Sequence, residues 1–228
     1  MHACDWWTGG FTDRVPITQK LAADPNATPW ELIREQIYAF WKETCDGRPA
    51  IILGASLGGA PTMDFAVAHP EAVAGLVLMD SGGHSYAQPP PFLTAALAGP
   101  VSNFFAWRGE ENLLPFPHLW RTEAGWREAL EAYLASGGYQ RRVEPGLIKT
   151  VPQKTLVLWG EADDVLPVED AYKFEADLPN CEGVVMIPEA MHAPALENPQ
   201  FVAKTVVDYV MKFKEAPAAP EPAAAVEA

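Results

Sequence analysis

The six residues Gly54-Ala55-Ser56-Leu57-Gly58-Gly59 constrain this chain more than any other stretch. They follow the short apolar run Ala50 to Leu53 and open the segment Leu57 to His69, which reads as a helix closed by Pro70. An apolar run of that length meeting a glycine reads as a buried strand. Strand, tight turn and helix in immediate succession force two elements past one another at close range, which Gly54 and Gly58 permit. Such a turn thrusts Ser56 out at the carboxyl edge of a sheet and points the Leu57 backbone amide at an oxyanion developing beside it. The plainer alternative is a glycine-rich packing turn carrying an incidental serine.

The remaining pattern supplies a sheet for that turn. Thr28 and Glu31 fit a capping box with Pro29 at the first helical position. Trp30, Ile33, Ile37, Phe40 and Trp41 then recur at helical spacing until Asp46-Gly47 breaks the helix. Further buried strands are predicted at Val73 to Met79, Thr155 to Trp159 and Val184 to Ile187. A helix is predicted over Val168 to Leu178. A last one starts at Asn198-Pro199 and turns Val202, Val206, Tyr209, Val210 and Phe213 inward. Strands alternating with helices imply a mostly parallel sheet with helices on both faces.

Residues 84–150 break the alternation. They open with Pro89-Pro90-Pro91 and are irregular and aromatic, with Phe104, Phe105, Trp107 and Trp120. One good helix starts at Thr122, places Trp126, Leu130, Tyr133 and Leu134 on one face, and stops at Gly137-Gly138. The segment is expected to be a helical cap inserted between two parts of one core, residues 1–83 and 151–214. Residues 215–228 contain only Ala, Pro, Glu and one Val, and are expected to form a disordered tail.

Composition narrows the function. The chain has 228 residues, 49% of them hydrophobic, enough for one domain with a sizeable core. A formal charge of -14 argues against nucleic acid or an anionic lipid surface as partner, since both repel it. No run of 18 apolar residues is present to span a membrane. Cys4, Cys45 and Cys181 are odd in number and lack metal-ligand spacing. They read as small buried thiols in a reducing intracellular compartment, cytoplasm or plastid. Neither a cofactor nor a metal is expected, and the expected partner is a small-molecule substrate.

A serine nucleophile needs a base, and the base needs an orienting acid. The acidic loop Trp159-Gly160-Glu161-Ala162-Asp163-Asp164-Val165-Leu166-Pro167 follows the third strand, and Met191-His192-Ala193-Pro194 follows the fourth. Asp163 is the candidate acid, although it also suits a helix cap, for which Asp164 is the natural alternative. Asp80, directly after the second strand, is the competing acid. Glu197 is read as a support for the last helix.

In these motifs the chain resembles the α/β-hydrolase superfamily, and within it the compact capped members related to bacterial haloperoxidase-like and plastid hydrolases. Gly160-x-x-Asp163-x-x-x-Pro167 is similar to the family's acid loop and His192-x-x-x-x-Glu197-x-Pro199 to its histidine loop. The resemblance implies a catalytic triad of Ser56, Asp163 and His192, and a serine hydrolase acting on an ester or related acyl bond of a small, apolar substrate. A carbon–carbon bond hydrolase of the same fold uses the same triad. A non-enzymatic binding protein that keeps the triad as a relic is the alternative of another class.

Asp5-Trp6-Trp7-Thr8-Gly9-Gly10-Phe11-Thr12 resembles the loop after the family's fourth strand. That alignment leads to the expectation that the first three strands are missing, together with the His-Gly loop that gives the second oxyanion-hole amide. Loss of one such donor is expected to slow an acyl-transfer enzyme by ~10²–10³. It would also leave the Ser56 strand with an open edge, or with residues 1–5 beside it.

Overall fold

The computed structural model describes residues 2–4, 19, 23, 29–85 and 146–215. The four strands are β1 (Ala50–Ala55), β2 (Val73–Met79), β3 (Lys154–Gly160) and β4 (Cys181–Ile187). They form one parallel sheet in the order β1-β2-β3-β4, with Leu53 opposite Val77, Leu78 opposite Val157 and Trp159 opposite Met186. The helices are α1 (Pro29–Cys45), α2 (Gly59–Ala68), α3 (Glu169–Asp177), the short α4 (Pro194–Glu197) and α5 (Pro199–Glu215).

A parallel strand covered on both sides has no polar face, so its side chains must alternate between two apolar layers. In β2, Leu76 and Leu78 enter one cluster while Val77 and Met79 enter the other. In β3, Val157 and Trp159 go with the first, and Leu156 and Leu158 with the second. The first layer is closed by Trp41 of α1, Met63 and Phe65 of α2, and Ala171 and Phe174 of α3. On the opposite side Val202 and Tyr209 of α5 close the second, with Phe213 packed against it. The Tyr209 hydroxyl also donates to the Lys154 carbonyl at 2.7 Å, tying α5 to the start of β3.

Where the elements differ from expectation, the reasons are local. β4 begins at Cys181 rather than Val184, because Glu182 and Gly183 disguise its first turn of pleat. Gly183 has φ +117° and the β3–β4 register shifts beside it, as at a bulge. The segment after β1 is not helical from Leu57. A 3₁₀ turn over Ser56–Gly58 comes first, and α2 starts at Gly59. The last helix runs through Glu215, so that residue belongs to α5 and not to a tail. The thiols are less buried than expected: Cys4 is exposed, and Cys45 and Cys181 are half-buried.

Thr28, the cap segment 86–145 and residues 216–228 lie outside the described residues. The two ends of the cap interval are anchored on the core. His84 meets the Phe174 ring at 4.8 Å, and Ile148 is buried in the first layer. Among the described residues β1 has a strand neighbour on one side, β2. Residues 2–4 form no strand, and His2 lies 6.5 Å from the Phe40 ring on α1, so they do not extend the sheet beside β1. No described helix is long and apolar enough to cross a membrane.

The α5–sheet contact depends on a missing side chain. A Cβ at Gly75 in β2 would lie 2.5 Å from Phe213 Cζ and 2.9 Å from the Tyr209 hydroxyl. Gly75→Ala is therefore expected to destabilise the fold by about 1–3 kcal/mol through overpacking. Urea unfolding measures it, and an unchanged midpoint would show that α5 moves aside freely.

Candidate active site

All the chemistry-bearing loops leave the sheet at its carboxyl edge. The first is the turn after β1. Ser56 adopts φ 49°, a left-handed conformation rarely taken by a residue with a side chain. Close approach explains why the turn persists. A Cβ on Gly54 would come within 2.8 Å of the Gly58 carbonyl and the Gly59 Cα, and one on Gly59 would collide with Ser81. The turn is also held from β2: Gly82 N donates to the Ser56 carbonyl at 2.8 Å. Gly58 is the N-cap of α2.

The second loop follows β3. Asp163 Oδ1 accepts hydrogen bonds from Val165 N at 2.8 Å and Leu166 N at 2.9 Å. Those two bonds close a turn within the loop; the N-cap of α3 is Val168, without a side-chain cap bond, so Asp163 does not take the helix-capping role considered as its alternative. The third loop follows β4. Glu197 of α4 accepts a hydrogen bond from Met191 N at 2.5 Å, so it braces the histidine loop rather than the last helix. Gly160 lets this loop approach β3, since a Cβ there would collide with the Met191 and Ala190 carbonyls.

These three loops bring Ser56, Asp163 and His192 together. Ser56 Oγ lies 2.8 Å from His192 Nε2, and His192 Nδ1 lies 3.0 Å from both Asp163 carboxylate oxygens. A carboxylate only accepts, which assigns the proton to Nδ1 and leaves Nε2 as acceptor for the Ser56 hydroxyl. The Asp163 side chain is fully buried and the His192 side chain 21% exposed, so the imidazole is the part that reaches solvent. The other described histidines are elsewhere: His2 lies near Phe40, His69 packs on Tyr38 and Phe65, and His84 meets Phe174 edge-on.

Asp80 lies beside this group without replacing Asp163. It directly follows β2 with φ 42°, is buried, and receives Gly160 N on Oδ1 at 2.8 Å. Its Oδ2 is buried without a hydrogen-bond donor. Donor atoms of Asp80, Asp163 and His192 lie within 4.8 Å of one another, a spacing that suits a metal ion. Both imidazole nitrogens, however, are engaged by Ser56 and Asp163. Burial pushes the Asp80 carboxyl up to about 7, and the neighbouring Asp163 and Glu197 charges add to the rise against the opposing Gly160 hydrogen bond. An acidic residue at a strand end gives no sign in the sequence that it will be buried against a second carboxylate.

A parallel sheet with a serine on the turn after one strand, and acid and histidine on loops after two others, defines an α/β-hydrolase-like architecture. The family model described as "Alpha/beta hydrolase family" matches residues 5–205, and the chain belongs to that family. It is 28% identical over 194 residues to the α/β hydrolase domain-containing protein VTE7 of Arabidopsis thaliana, covering 77% of this chain and 57% of that protein. It is 30% identical over 182 residues to a 2-hydroxy-6-oxo-6-(2'-aminophenyl)hexa-2,4-dienoic acid hydrolase of Metapseudomonas resinovorans, covering 73% and 61%. The chain thus spans about three fifths of the length of these two relatives. Among solved structures, a serine hydrolase involved in carbazole degradation superposes with a TM-score of 0.62 at 26% identity, over 80% of this chain and 71% of that one. A pimeloyl-[acyl-carrier protein] methyl ester esterase of Yersinia enterocolitica is 25% identical over 181 residues, covering 72% of this chain and 70% of that protein.

The raised Asp80 carboxyl has a consequence for stability. Because the folded group holds its proton up to about 7 and the unfolded group releases it near 3.8, the folded state binds the extra proton between those values. Stability contributed at this site is then full below about 4 and is lost as pH rises through about 7, by at most about 4 kcal/mol. Asp80→Asn, permanently neutral, is expected to melt increasingly above the parent chain as pH is raised from 4 to 8. Parallel melting curves for the two proteins would mean that Asp80 ionises as readily folded as unfolded.

Proposed function

We propose that the chain is a serine hydrolase in which Ser56 is the nucleophile, His192 the general base and Asp163 the orienting acid. The observation that carries this reading is the continuous relay from Ser56 Oγ to His192 Nε2 and from His192 Nδ1 to Asp163. Ser56 Oγ attacks the acyl carbon of a small substrate as its proton passes to Nε2. The imidazolium so formed is stabilised by Asp163 and returns the proton to the leaving alcohol. Water, deprotonated in turn by His192, then releases the acid and restores Ser56. The Leu57 amide is the expected donor to the oxyanion. Gly54 and Gly58 keep the nucleophile turn tight.

An ester is the leading substrate class. Cleavage of a carbon–carbon bond in a vinylogous keto acid is the second, favoured by the 30% identity to the dienoic acid hydrolase. Both are read out by the same experiment. The chain is incubated with a fluorophosphonate probe, a p-nitrophenyl ester series and a 2-hydroxy-6-oxo-dienoate. The parent chain is expected to be labelled covalently, and Ser56→Ala to be unlabelled. Asp163→Asn and His192→Ala are expected to lose ~10²–10⁴ in kcat, in line with other triads. Probe labelling that survives Ser56→Ala would overturn the nucleophile assignment. A folded parent chain that neither labels nor turns over any of these substrates would favour the binding-protein alternative.

A further inference from the structure

The mechanism above leaves one buried titratable group in the site unused. Asp163 is well supplied with donors as an anion: Val165 N, Leu166 N and His192 Nδ1 all donate to it. Asp80 has a single donor, Gly160 N on Oδ1, and its buried Oδ2 has none. Two carboxylates gathered with one imidazole inside 4.8 Å in a buried site repel each other strongly if both are charged. The pair therefore keeps a proton, and the oxygen without a donor is where it resides. Protonated, the Asp80 carboxyl ceases to be short of a partner and can donate to the Asp163 side chain, which neighbours it.

Resting on the triad reading, we propose that Asp80 is a positioning residue: a neutral carboxylic acid that hydrogen-bonds the Asp163 carboxylate and so holds it against His192. The surrounding geometry supports such a role. Asp80 N donates to the Leu158 carbonyl at 3.0 Å and its side chain grips Gly160 N, so it spans the end of β3 where the acid loop begins. Two residues later Gly82 N holds the Ser56 carbonyl. One short stretch after β2 thus braces both the nucleophile turn and the acid loop.

The charged and titratable groups facing Asp80 are Asp163 from the loop after β3, His192 from the loop after β4, and Glu197 from α4. Two of them are anions, so ionising Asp80 places a third negative charge among them and removes the hydrogen bond to Asp163. Activity therefore falls as Asp80 ionises, in the region of pH 7 where its carboxyl titrates.

The test uses residues 1–228 and follows both fluorophosphonate labelling rate and p-nitrophenyl acetate turnover from pH 5 to 9. Asp80→Asn preserves shape, a donor toward Asp163 and an acceptor for Gly160 N, but cannot ionise. It is expected to stay within about threefold of the parent at pH 6 and to lack the parent's descending limb, exceeding it severalfold at pH 9. Asp80→Ala is expected to lose at least about tenfold in kcat at pH 6 with KM within twofold, because it removes positioning rather than substrate contact. Asp80→Asn matching Asp80→Ala in its loss, or running parallel to the parent across pH, would overturn the proposal. So would an Asp163→Asn chain that keeps full rate while Asp80→Asn is dead, since Asp80 would then be the acid itself. Should Asp80→Ala not fold, the Asp80→Asn profile decides alone. Ser56→Ala runs alongside: if it retains turnover, the triad reading fails, whatever Asp80 does.

Discussion

Parallel pairing of β1 to β4 is the constraint on which the rest depends. Four strands pointing the same way deliver the turn after β1, the Asp80 stretch after β2, the acid loop and the histidine loop to one edge. No side chain in the site has to reach across the sheet. The cost is that every connection must return over a face, which demands two apolar layers and helices to close them. Close approach at that edge is then secured by the absence of side chains: Gly54, Gly59 and Gly160 each stand where a Cβ would meet backbone or Ser81.

Much of this was legible because its causes are local. Val73 to Met79 is an unbroken apolar run, and β2 occupies those residues. The turn at Ser56 announces itself through glycines, and the acid and histidine loops through residues flanking apolar runs. Their meeting follows once the strands are parallel and adjacent. What stayed hidden depends on neighbours distant in sequence. The first residues of β4 look like a loop because Glu182 and Gly183 lack apolar character, yet pairing with β3 draws them in. Glu197 looks like part of a helix start, and its carboxylate turns back to Met191 N.

Asp80 shows most plainly where reading along a chain stops. As a single aspartate after a strand it competes with Asp163 for one role. In three dimensions the two are neighbours with different company, one ringed by donors and the other nearly bare. Which of two carboxyls keeps a proton is decided by that company, and no spacing in the sequence encodes it.

The unequal covering of the two sheet faces bears on how the molecule is made. Among the described residues, the layer under Trp41, Phe65 and Phe174 draws on helices spread along the chain, whereas the layer under Val202 and Tyr209 is closed by α5. During synthesis from the amino end, Val77, Leu156 and Leu158 emerge long before residues 199–215 exist to shield them. Among the described residues, that layer therefore lacks the helix that closes it until α5 has been made and docks.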